Sequence, residues 1–274
     1  MALLVPYHRQ QSQERNFSGR PTTTWGTVLT ASATPHALPA SPTEIIASTA
    51  YDACRVVVQI DGPWGSNTNT DALLNIYLGA ASSEVLFIPN LLAGWVMPNT
   101  STTPPARGYL FPLFIPRGSR ISASLRALIA SETANVRISL YGGDDAWAGA
   151  GVESVGAVTA SSRGTNVTPG TTSDGTFTDL ATTVRAFRYV FATIMGNPDT
   201  TLAADRLALD LGTGSALIAG LENFSTIDSS SEYQSHEWPE GRWVDVAAGT
   251  ALQARLQSQG ADAEAKSVIA WGVY

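Results

Sequence analysis

Imidazole is the side chain most often given general-base and metal-ligand work, and this chain has three: His8, His36 and His236. They stand far apart, and none belongs to an HExxH pattern or to a pair at metal spacing. No GxSxG turn is present, and Ser is too abundant for His236 with scattered Ser and Asp residues to mark a triad. Carboxylates crowd one place, where Glu222, Asp228, Glu232, Glu237 and Glu240 share a loop region of the C-terminal half. Two carboxylates held about 5–9 Å apart would suit glycoside hydrolysis. Spacing along a loop does not establish such a pair, and the matching loop of the N-terminal half has no acidic residue between Asn90 and Tyr109. A charged loop rim is the expectation. Asp144-Asp145 lacks EF-hand spacing and reads as a solvated turn. Gly212-Thr213-Gly214 lacks the strand–loop–helix setting of a nucleotide site. The expectation is therefore no catalytic residue, no cofactor, no metal and no enzymatic activity.

Cys54 is the only cysteine, which rules out an intrachain disulfide, and a buried inert thiol is expected. The aromatic residues carry more information. Trp64, Trp95, Trp147, Trp238 and Trp243 fall in or beside expected loops, whereas Trp25 and Trp271 are expected in cores. An indole or phenol on a β-sandwich loop can stack on a sugar ring, so Trp64, Trp95 and Trp238, with Tyr233, are candidate glycan or partner contacts. The same residues could instead plug sandwich ends or subunit contacts.

Charged residues make up only 14% of the 274, hydrophobic residues 44%, and the net charge is −7. That balance argues against a nucleic-acid backbone or an anionic membrane as partner. No apolar run approaches the ~20 residues of a membrane-spanning helix. The opening Met1 to Pro6 is too short an apolar run for a secretion signal, so the product is expected in the cytosol unless it leaves within an assembly.

The elements that must position these side chains read as strands and turns. Ala53 to Ile60 is β-branched and apolar and closes on Asp61-Gly62-Pro63. Arg120 to Ala127 and Asn135 to Tyr141 alternate with period 2, and no window of helical length shows a 3.6-residue stripe. The second half repeats the first in four blocks. Gly118 to Ala127 matches Gly249 to Ser258, Leu74 to Gly79 matches Leu207 to Gly212, and Ile46 to Thr49 with Val56 matches Leu180 to Thr183 with Val190. Finally Ile138 to Gly142 matches Val268 to Gly272. A period this long denotes a domain tandem rather than a solenoid. The expected fold is all-β: a tandem duplication of an antiparallel, jelly-roll-like β-sandwich with an extended N-terminal arm. The boundaries are residues 1–25 for the arm, 26–143 for the first module, 144–163 for a linker and 164–274 for the second module. The arm is polar and carries charge of both signs, and Tyr7, His8, Arg9, Arg15, Phe17 and Arg20 are its candidate assembly contacts.

Phe114-Ile115-Pro116-Arg117-Gly118-Ser119-Arg120-Ile121-Ser122-Ala123-Ser124-Leu125 resembles the "IPAGSRIAAR" strand–turn–strand of β-rich virion proteins from tailed phages and gene transfer agents. Val246 to Leu256 resembles a second copy in which Ala247 replaces the proline. The resemblance implies a non-enzymatic virion component, a head decoration or head-spike protein first and a collar or baseplate protein next. Its partners would be copies of itself and other virion proteins, and it would be made in the host cytoplasm. A carbohydrate- or receptor-binding adhesin recognising a bacterial surface polysaccharide is the alternative.

Overall fold

The computed structural model describes residues 26–61, 72–93, 107–143, 147–156, 164–171, 173–195, 206–222, 226–228, 233–234, 241–258 and 265–274. All regular structure among them is β, with no helix, so none is long and apolar enough to cross a membrane. The first module contains β1 (Thr27–Thr30), β2 (Thr43–Ile46), β3 (Arg55–Asp61), β4 (Ala72–Leu78), β5 (Val85–Leu92), β6 (Arg107–Phe111), β7 (Ile121–Ala127) and β8 (Thr133–Tyr141). Their antiparallel pairing is nested: β1 with β8, β2 with β7, β3 with β6 and β4 with β5. Such a ladder is a long hairpin rolled over on itself, which distributes the strands between a front sheet β1-β8-β3-β6 and a back sheet β2-β7-β4-β5. This is a jelly roll.

Alternation explains the packing. In β3, Val56, Val58 and Ile60 turn inward and meet Val136, Ile138 and Leu140 of β8, all 1% exposed or less. Back-sheet residues Leu74, Ile76, Ala123 and Leu125 are equally buried. Each fully buried Val, Leu or Ile contributes about 1.5–3 kcal/mol, so a one-residue slip of register would be heavily penalised.

The second module repeats the scheme. It contains β9 (Val152–Val155), β10 (Thr165–Val167), β11 (Pro169–Gly170), β12 (Thr178–Thr182), β13 (Phe187–Met195), β14 (Arg206–Thr213) and β15 (Ala216–Leu217). Then follow β16 (Thr226–Asp228), β17 (Tyr233–Gln234), β18 (Arg242–Val246), β19 (Ala251–Ser258) and β20 (Lys266–Val273). Its front sheet runs β10-β20-β13-β18 and its back sheet has β12 on β19, then β14, then β16, which is the first module's order strand for strand. Residues 152–155, inside the stretch expected as linker, form β9 and pair with the C-terminal half of β20.

The structural register moves two of the four sequence matches. Matching Val56 with Val190 and using the pairs Val56–Leu140 and Val190–Gly272 aligns Leu140 with Gly272, not with Ala270. Matching Ala123 with Ala254 likewise aligns Ile76 with Leu211 and hence Gly79 with Gly214, not Gly212. Two glycines confirm the first shift. Gly26 (φ 137°) and Gly164 (φ 150°) each precede the first front strand, and a Cβ on either would stand 2.6 Å from the carbonyl oxygen of Val136 or Val268. Only glycine fits there.

Candidate interaction surface

The turn that carries the virion-protein resemblance is built identically in both modules. In the first, buried Thr49 donates its hydroxyl to Pro116 O (2.7 Å) and accepts from Ser119 N (3.0 Å). The Thr49 backbone accepts from Gly118 N and donates to Ser119 O, both at 2.9 Å. In the second, Thr183 donates to Ala247 O (2.9 Å), accepts from Thr250 N (3.1 Å), and its backbone pairs with Gly249 N and Thr250 O. Ser119 and Thr250 hydroxyls close both turns on the same carbonyls at 2.7 Å. Gly118 and Gly249 supply the left-handed corner at φ 82° and 79°. The replacement of Pro116 by Ala247 is tolerated because the residue contributes its carbonyl.

The two modules meet through aromatic rings. Tyr109 and Phe111 of β6 stand against Phe191 of β13, and Tyr109 also against Trp271 of β20, with centroids 5.1–6.1 Å apart. Phe191 and Trp271 stack at 5.0 Å and 15°. All four rings are 2% exposed or less. Both polar handles are satisfied: Trp271 Nε1 donates across the contact to Pro89 O of β5 (2.9 Å), while Tyr109 donates within its own module to Leu92 O (2.7 Å). Beside them Asn90, at φ 55°, bridges from Asn75 Oδ1 to Ser154 of β9. Trp271, expected in a core, therefore sits in the core between modules. The edge of one sandwich is seated on the outer front face of the other.

That face is not duplicated chemically. In the shared register, Tyr189, Phe191, Ile269 and Trp271 of the second module occupy the places of Arg55, Val57, Arg137 and Ser139 in the first. The first module's outer face thus carries two guanidinium groups around Val57, with Leu110 of β6 opposite Val57 and 40% exposed. Trp243, opposite Tyr189 on edge strand β18, is 57% exposed.

Charge clusters elsewhere brace the back sheets. Arg120 bridges Glu44 (2.8 Å) and Glu84 (2.9 Å), and its pKa is raised, chiefly by the hydrogen bond to Glu44. Arg255 bridges Asp174 (2.6 Å) and Asp210 (2.9 Å) over the Phe177 ring. These clamps sit at non-equivalent positions in the two modules.

Of the residues singled out in the sequence, Tyr7, His8, Arg9, Arg15, Phe17, Arg20, Trp25, Trp64, Trp95, Asp144, Asp145, Glu232, His236, Glu237, Trp238 and Glu240 lie outside the described residues. Tyr233 lies on β17, paired with Asp228 of β16. Glu222 accepts from Gly220 N at an exposed turn, His36 takes φ 61° in a loop, and Cys54 is a buried thiol. Among the described residues no three His, Cys, Asp or Glu side chains are grouped to hold a metal ion. Trp243, expected in or beside a loop, is the second residue of β18, with its side chain exposed.

No family model matches the chain, and no curated protein matches it. Among solved structures it is similar to that of the STIV MCP, a viral major capsid protein, at 11% identity and a TM-score of 0.39, covering 90% of this chain and 96% of that one. It is similar to PNGF-II at 7% identity and a TM-score of 0.35, covering 86% and 59%. It is also similar to the tandem CBM22-1–CBM22-2 domain of Paenibacillus barcinonensis Xyn10C at 10% identity and a TM-score of 0.25, covering 97% and 100%. The assignment as a jelly roll rests on the strand pairing itself.

Proposed function

We propose that the chain is a non-enzymatic structural component of a phage or phage-like particle, a head decoration or head-spike protein that oligomerises and docks through its N-terminal arm. The observation that carries this reading is the glycine–threonine turn: the residues that resemble virion proteins form one hydrogen-bonded device, built twice in equivalent places. The fused pair of jelly rolls supports it further, since buried aromatic packing between modules makes a stiff building block. The arm, residues 1–25, would order on contact with the particle.

The test is deletion of residues 1–25 followed by cryo-electron microscopy of the purified particle. The reading expects the shortened chain to be lost from the particle while still folding. Full incorporation without the arm would refute arm docking, and absence of the intact chain from the particle would remove the virion assignment.

A second reading, an adhesin for a bacterial surface polysaccharide, is favoured by the solvent-facing indoles of Trp147 and Trp243, which show that this scaffold presents large aromatics outward. Its contacts would be Trp64, Trp95, Trp238 and Tyr233. Binding to a glycan array that survives Trp64→Ala and Trp238→Ala would count against those contacts.

A further inference from the structure

The aromatic row that joins the two modules does not stop where the interface stops. From Trp271 it passes to Phe191 (5.0 Å), to Tyr189 (6.5 Å) and to Trp243 (5.0 Å, edge-on at 61°). The first two rings are covered by the first module, Tyr189 is half-buried and Trp243 lies open. The open end is shaped for the purpose. Tyr189 lies directly over Gly241, where any side chain would collide with its ring, and Val244 and Val246 turn inward while Trp243 and Asp245 stay exposed. A large ring left exposed at the end of a buried aromatic row is unusual for a surface that has no partner.

We infer that Trp243 and Tyr189 dock a second copy of this chain, through the outer front face of that copy's first module. Two observations favour this occupant. The row is continuous with an interface the chain already makes. The chemistry is also complementary. Leu110 and Val57 offer an apolar patch to the indole, and Arg55 and Arg137 flank it on either side, which gives that face the charge opposite to Asp245. The contact within the chain is aromatic and dry, whereas the contact between chains joins one indole to a charged rim, so it is weaker and salt-sensitive. It is a head-to-tail contact, which closes into a ring or continues as a filament.

This inference deepens the virion reading and rests on it for the setting in which copies meet. The experiment is sedimentation velocity of the full chain at low and high salt, with Trp243→Ala, Asp245→Arg and, as an exposed-indole control, Trp147→Ala; circular dichroism verifies folding. The parent is expected to self-associate, less at high salt. Trp243→Ala should weaken association by about thirtyfold, as for a central interface tryptophan, and Asp245→Arg should weaken it also. Trp147→Ala should leave it unchanged. A parent that stays monomeric at micromolar concentration, or a Trp243→Ala chain that associates like the parent, overturns the inference. So does a Trp243→Ala chain that loses polysaccharide binding with its association intact. Unchanged association with normal particle incorporation defeats this inference alone, whereas absence of the parent from the particle defeats the reading beneath it.

Discussion

Thr49 and Thr183 are small residues with a large share in the fold, because each hydroxyl serves a turn carbonyl and a turn amide at once while buried at 2% exposure. Replacing either by Val keeps the shape but removes both bonds, leaving the turn carbonyl only its Ser119 or Thr250 hydroxyl donor, at an expected cost of about 1–3 kcal/mol per site. Chemical denaturation should show that loss, and Thr→Ser should restore most of it. Both threonines stood inside a matched block of the sequence, so their equivalence was legible. Their role was not, since the partner turn lies about 70 residues downstream and only the folded ladder brings it near. Glu132 offers a test with a sign. Burial raises its carboxyl pKa above the ordinary 4.5. A carboxyl raised on folding favours the native state while protonated, so its contribution is complete below the unfolded value and is lost as pH climbs through the raised one. Glu132→Gln keeps the neutral shape and should raise the melting temperature near neutral pH, with no gain at about pH 3. A gain of equal size at both pH values would show that charge burial is not the cause.

Among elements, the strands were legible because inward Val, Ile and Leu alternate with polar residues, as in Arg55–Asp61 and Ala251–Ser258. Residue-level alignment of the two halves was less so, and the error had a physical form. Both displaced blocks slipped by two residues, a shift that preserves which face each side chain takes and so leaves the hydrophobic pattern intact. Backbone events broke the tie, namely a glycine against a carbonyl. Gly26→Ala and Gly164→Ala should each cost about 1–3 kcal/mol through positive-φ strain, with more from the contact at 2.6 Å. The measurable outcome is a lowered unfolding midpoint and earlier amide exchange in β1 or β10. The strand at Val152–Val155 escaped notice because its surroundings, rich in Gly and Ala, read as linker.

Across the whole molecule, the two jelly rolls are alike in topology and unlike in surface. The seam between them was invisible in the sequence, because Tyr109, Phe111 and Phe191 sit on strands whose other residues already explain their hydrophobicity. Trp271→Ala removes a ring at 0% exposure together with its bond to Pro89 O and should cost about 3–5 kcal/mol. Residues 26–143 and 144–274 made as separate chains should each aggregate or bind a hydrophobic dye, and mixing them should relieve both. Stable monomeric halves would show the seam to be dispensable.

Strand β20 follows the other strands of the described residues, yet it lies inside the second front sheet with β9 and β10 along one side and β13 along the other, and it carries Trp271. On the ribosome, then, Tyr109, Phe111 and Phe191 emerge long before the piece that covers them. The nascent chain must travel with its seam open until β20 arrives. A premature stop just ahead of residue 266 would yield an unfinished protein, with the keystone missing from an arch already raised.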